Sequence, residues 1–269
     1  WSASRGMIRP VVIRVLFSDS RAVQPWNATT LSQNALVKDL PLQVFGGHCL
    51  ERIQEAIARR QFAQNDDSSV CLEERTFGDF LQSPNGQYCK QFTHLFSVAP
   101  SLVADLELER LGSIYPTGGS AIVPTLFVGK GHQHPYQTPY HAAAPSNYFL
   151  QIVGQKQWRL APPTLTPYMQ PFFYTDVPSI ASRIACVMPG AEQEYRYQDL
   201  PGTSVVTLKA GDFLYVPPWW FHEITHPVND NWHVAVGLRP VDSVIQQHVP
   251  ILSQHFGNTL GILPTTLKL

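Results

Sequence analysis

Residues 204–222 read SVVTLKAGDFLYVPPWWFH, and this stretch decides the fold. Two short runs of β-branched and aromatic residues, 204–212 and 213–218, meet at Gly211-Asp212, and the second stops at Pro217-Pro218. Runs of four to eight such residues closed by Gly, Pro or Asp are strands with turns between them. Working outward, the same grammar recurs in WHVAVGL (232–238), QWRLAPP (157–163), NYFLQIVG (147–154) and AIVPTLFVG (121–129). Short strands joined by tight turns, with no helix-length segment between them, predict a sandwich or barrel and not a βαβ sheet.

Composition agrees. The 269 residues are 44% hydrophobic, enough for a sizeable core, and include 23 Pro and 17 Gly. Only 14% are charged, against ~25% in ordinary soluble domains. The formal net charge of −1 removes the basic footprint of a nucleic-acid binder. No apolar stretch is long enough to span a bilayer, and no charged segment followed by an apolar one marks a signal peptide. Cys49, Cys71, Cys89 and Cys186 are scattered without a Cys-x-x-Cys pair. Free thiols and an intracellular, cytoplasmic setting are therefore expected, and Asn27-Ala28-Thr29 is read as a chance sequon.

Toward the N-terminus, IRPVVIRVL (8–16) reads as a strand, and 26–31 as a turn entering a helix capped by Asn or Thr. GHCLERIQEAIARR (47–60) places Leu50, Ile53 and Ile57 at helical spacing, and QNDDSS (64–69) is a loop. Residues 76–81 read as a short helix, 83–87 as a turn, and 99–111 as a helix opened by Pro100. SVIQQHVPILSQHF (243–256) returns to helical spacing. The expected organisation is one domain: a helical or mixed part over 1–118, a β core over 119–240 and a helical tail over 241–269, where homodimerisation is expected.

Six of the ten histidines fall in two groups: His132, His134 and His141, then His222, His226 and His233. Neutral imidazole is the commonest metal ligand, and a barrel mouth gathers side chains from distant strands. The 81 residues between His141 and His222 exclude a finger-type zinc site and suit ligands on two strands of one barrel.

TPYHAAAPSNYFLQIVGQKQWRLAPP (138–163) and GDFLYVPPWWFH (211–222) together resemble the JmjC/cupin-like family of Fe(II)- and 2-oxoglutarate-dependent oxygenases. The likeness extends through the N-terminal region and is strongest over 121–240. It implies a mainly β fold, a double-stranded β-helix or jelly roll with flanking helices. It also implies His141 and His222 as metal ligands. Lys156 and Thr138 would hold the distal carboxylate of 2-oxoglutarate, Asn147 would line that pocket, and Arg239 would be an alternative carboxylate anchor. Trp219, Trp220, Phe221, Tyr140 and Tyr148 are candidates to wall it.

The sequence departs from the family at one position. The family's metal motif is His-x-Asp/Glu…His, and here it reads His141-Ala142-Ala143. A methyl group donates no lone pair. Three readings stay open: chloride fills the vacated position, as in iron/2-oxoglutarate halogenases; His132, His134 or His226 completes a multi-histidine cupin centre; or the domain is an inactive binding module. The first leads, with halogenation or hydroxylation of a small molecule or protein side chain as its outcome. Glu223 and Asp212 are assigned surface and turn roles.

Overall fold

The computed structural model describes residues 8–46, 72–83, 87–111, 122–130, 137–143, 146–169, 171–173, 179–182, 200–226 and 232–240. The strands are β1 (Val11–Ile13), β2 (Pro41–Gly46), β3 (Leu72–Thr76), β4 (Gln87–Phe92), β5 (Ile122–Lys130), β6 (Gln137–Ala143), β7 (Asn147–Val153), β8 (Gln155–Ala161), β9 (Pro171–Phe173), β10 (Ser179–Ser182), β11 (Ser204–Lys209), β12 (Phe213–Val216), β13 (Phe221–Thr225) and β14 (Trp232–Pro240). They form two antiparallel sheets, ordered β1-β12-β7-β14-β5-β4-β2-β3 and β11-β8-β13-β6-β10-β9. The protein is mainly β, and the jelly roll implied by its sequence is the architecture found.

Side-chain alternation explains the layering. On β8, Lys156, Trp158 and Leu160 are buried while Gln155, Gln157 and Arg159 are only partly covered. On β7, every residue from Asn147 to Ile152 is buried, because both faces of its sheet are covered. Phe149 faces Trp158, Leu160 and Ile224 of the other sheet, and this layer between the sheets is one core. On the opposite face, Tyr148 and Leu150 pack with Phe17, Leu31, Phe80, Leu95 and Leu102. A third core, with Tyr140, Ala142, Phe221 and Leu165, covers the outside of the smaller sheet.

The N-terminal part supplies more strands than its sequence suggests. β2, β3 and β4 extend the larger sheet through β4–β5 pairing. Their charged, glutamine-rich segments QVFG, LEERT and QYCKQF lack alternation over enough residues to signal a strand; the sheet edge they join determines their conformation. Helix α1 (Ala28–Ser32) is capped by Asn27, whose side chain accepts from the Thr30 amide at 2.9 Å while Thr30 Oγ1 accepts from the Asn27 amide at 3.0 Å. Helix α2 (Phe77–Gln82) lies where expected, and α3 (His94–Val98) follows β4. The helix expected over 99–111 divides into α4 (Pro100–Asp105) and a 3-10 turn at Leu108–Leu111. Glu107 lies between them at φ 48°, its carboxylate accepting from the Arg21 amide at 3.2 Å. The segments 47–60, 64–69 and 243–256 lie outside the described residues.

The Gly211-Asp212 turn ties the sheets to the N-terminal layer. Asp212 is 3% exposed and accepts from the Val15 amide (3.1 Å), the Lys209 amide (2.9 Å) and Arg14 (2.5 Å). Burial opposes ionisation of this carboxyl, but those donors more than offset it and hold the group below the usual carboxylate value of 3.8. A depressed carboxylate stabilises the fold above its unfolded value and loses that contribution as pH falls through its folded value. Asp212→Ala is therefore expected to cost about 2–3 kcal/mol at pH 7. In urea titrations, the gap between wild type and variant should narrow at pH 3.

Candidate metal centre and carboxylate pocket

His141 on β6 and His222 on β13 are direct cross-strand partners. Their rings lie 4.1 Å apart between centroids. His222 Nδ1 lies 2.9 Å from the Trp220 carbonyl oxygen and must donate to it, which leaves the Nε2 lone pair available. The Asn147 amide nitrogen sits 3.4 Å from that Nε2, and Trp158 stacks on the His222 ring at 5.6 Å. His222 is thus held on three sides, while His141 is half-buried.

Ala143 lies two residues beyond His141, on the same face of β6, where a carboxylate would complete a three-ligand set. Its carbonyl accepts from the Trp219 amide at 2.9 Å. Trp219 has φ 62°, a left-handed conformation that costs an L-residue roughly 1–2 kcal/mol. Among the described residues, no cluster of three or more His, Cys, Asp or Glu is assembled. The donors brought together here among the described residues are two imidazoles.

Thr138 lies three residues before His141, a spacing that in a regular strand would place it on the opposite face. The β6–β13 register shifts between His222↔His141 and Ile224↔Thr138, so β6 carries one extra residue. That bulge returns Thr138 to the face shared with Ile224, inside the sandwich.

Lys156 lies four residues from Leu160, the β8 partner of His222, about 13 Å along the strand. It is 1% exposed, with Nζ 5.6–5.8 Å from the ring centroids of Tyr88, Phe127 and Phe149. Among the described residues no carboxylate pairs with it, and burial lowers its pKa from 10.5 to about 7. A buried lysine facing aromatic rings and no acid fits an anionic ligand.

His226 is separate from the His141–His222 pair in its ring contacts, which are with Tyr88 at 5.2 Å and His233 at 4.1 Å. Arg239 lies on β14 opposite Val123, and only its backbone is described. His132 and His134 lie outside the described residues. Glu223 does not occupy the surface: it is 1% exposed and accepts from Arg159 at 3.0 Å on the outer face of the smaller sheet. Tyr140 and Phe221 pack in the outer core of that sheet, and Tyr148 packs against Phe213 and Tyr215. These aromatics do not belong to the layer between the sheets. Trp158, Phe149, Phe127 and Tyr88 do, and Trp158 was detectable by sharing strand parity with Lys156.

Cys89 is a free, buried thiol, and no helix among the described residues is long and apolar enough to cross a membrane. A family model described as a cupin-like domain matches residues 5–238. HSPB1-associated protein 1 from Homo sapiens is 28% identical over 197 residues, 71% of this chain and 36% of the relative. The Mus musculus protein of the same name is 30% identical over 197 residues, with the same coverage. The chain spans about a third of the length of these curated relatives.

Proposed function

The chain belongs to the cupin-like domain family, and from that premise we propose that it is a non-haem Fe(II)- and 2-oxoglutarate-dependent oxidative enzyme whose protein ligands are His141 and His222. The observation that carries this reading is the paired imidazoles on the same inner face as a buried lysine with no counter-ion among the described residues. When bound, Fe(II) would let dioxygen serve as oxidant, one oxygen atom converting 2-oxoglutarate to succinate and CO2 and the other oxidising an unactivated C–H bond.

The chain's own residues do the positioning. The Trp220 carbonyl fixes the His222 tautomer, and Trp158 fixes its ring plane. His141 and His222 would hold the metal, and the Asn147 amide, 3.4 Å from His222 Nε2, would be at hand for a ligand in the position that Ala143 leaves open. Lys156 and Thr138 hold the far carboxylate of 2-oxoglutarate, while the surrounding rings exclude water. The open position accepts water or a halide. With chloride there, the outcome is halogenation; with water, hydroxylation. The substrate is a small molecule or a protein side chain.

Fe(II) and 2-oxoglutarate added anaerobically are expected to produce a weak visible charge-transfer band that responds to chloride. No band and no metal uptake would overturn the enzyme reading in favour of a binding module. Ala143→Asp restores a third donor and is expected to tighten Fe(II) binding about tenfold or more while removing the chloride response. Unchanged affinity in that variant would show that the metal does not sit beside position 143.

A further inference from the structure

We propose that His226 and His233 join Lys156 in a buried site for an anionic group of the carboxylate class. This deepens the reading above and rests on it for the identity of the ligand, a 2-oxo dicarboxylate. The cluster draws on four strands: Tyr88 from β4, Lys156 from β8, His233 from β14, and His226 just beyond the end of β13. Extending the β13–β8 register one step past Thr225↔Gln157 brings His226 level with Lys156. His226 is fully buried, His233 is 3% exposed, and their rings are 4.1 Å apart.

The arrangement is costly unless something is bound. His233 Nε2 has no hydrogen-bond partner among the described residues, and a buried unpaired nitrogen loses its hydration without compensation. Room for that ring comes from Gly129, its cross-strand partner: a Cβ there would lie 2.5 Å from His233 Nε2 and 2.8 Å from Tyr88 Cδ2. A strand-interior glycine normally weakens a sheet, and here it marks a close approach.

The charges are one-sided. Burial pushes both histidines well below 6.5, and Lys156 adds repulsion to each, as does His233 to His226. Two further titratable groups among the described residues, Tyr88 and Cys89, are raised by burial and stay neutral. Among the described residues no carboxylate acts on Lys156 or His233. An anion entering this cluster would stabilise the protonated form of every basic member, so binding takes up protons.

The test is calorimetric titration of succinate, and separately 2-oxoglutarate, into the metal-free chain in carboxylate- and phosphate-free buffers of different ionisation enthalpy. Binding is expected at pH 8 with uptake of about one proton per molecule, since Lys156 is mostly neutral there, and with affinity rising as pH falls from 8.5 to 6.5. His226→Asn and His233→Asn are each expected to weaken binding by about tenfold. No binding, binding without proton uptake, or wild-type affinity in both variants would overturn the proposal. If the variants fail to fold, the wild-type chain still decides. Histidine ring resonances that move on addition of succinate support the site, and unmoved ones overturn it. Histidine-dependent succinate binding without a charge-transfer band would sink the oxygenase reading alone. The band together with histidine-independent binding would sink this inference alone.

Discussion

His141→Ala is expected to abolish measurable Fe(II) and Co(II) binding, and His222→Ala to do the same with a loss of stability as well. Loss of an outer-shell partner commonly costs a metal site about 10–100-fold in affinity. Each of these substitutions removes one of the two imidazoles paired among the described residues, so the loss should exceed that range. The two positions differ in their structural debt. His141 is half-buried, and its alanine variant should retain most of the fold's stability. His222 is 2% exposed, stacks on Trp158 and satisfies the Trp220 carbonyl. Its removal should cost a further 1–3 kcal/mol or so from the unmet carbonyl. Equilibrium dialysis with Co(II), alongside thermal melts, separates the two effects. Affinity within twofold of wild type in the folded His141→Ala protein would refute the assignment.

Gly211→Ala is expected to be strongly destabilising. Gly211 adopts φ 87°, and a Cβ there would lie 2.7 Å from Ser18 Cα and 2.8 Å from Ser18 N, both backbone atoms. The Gly211 amide also donates to Gln151, and its carbonyl accepts from Phe17, so the turn cannot shift freely. Left-handed strain of about 1–2 kcal/mol adds to overpacking of about 1–3 kcal/mol. At roughly 2–4 °C per kcal/mol for a domain of this size, the melting temperature should fall by about 4–20 °C. Gly202 provides the comparison. It has the same φ of 87°, but an added Cβ would meet only Pro162 ring carbons, the nearest at 3.2 Å. Gly202→Ala should therefore cost only about 1–2 kcal/mol, the strain alone. Equal losses at both glycines would show that conformation matters here and that contact with Ser18 does not.

The β core was legible because its strands obey local rules. Gly and Pro bound them, and alternation separates Lys156, Trp158 and Leu160 from their polar neighbours. The strands β2, β3 and β4 were not legible, because LEERT and QYCKQF are strands by virtue of the edge they extend. The pairing of His141 with His222 followed from a motif, while the face occupied by Thr138 depended on a bulge that no residue pattern announces. Glu223 shows the converse: a lone acid after a histidine reads as surface, but Arg159, 64 residues away in sequence, meets it from the next strand. Likewise His226 and His233 were visible as members of a histidine group. Their approach to Lys156 depends on how the two sheets pack together, and the glycine that makes room for it lies more than a hundred residues before His233 in the chain.

The two sites also depend on different parts of the architecture. His141 and His222 face each other across one hydrogen-bonded ladder, β6 against β13, so their spacing is set by the backbone. Lys156 belongs to the smaller sheet, while Tyr88, Phe127, Phe149 and His233 belong to the larger, so their spacing is set by how tightly the sheets are pressed together. Loosening of the sandwich would open the basic cluster to water while leaving the paired imidazoles in register. Under mild denaturant, grip on the dicarboxylate should therefore fail before grip on the metal, making the space between the sheets the first part of the site to go.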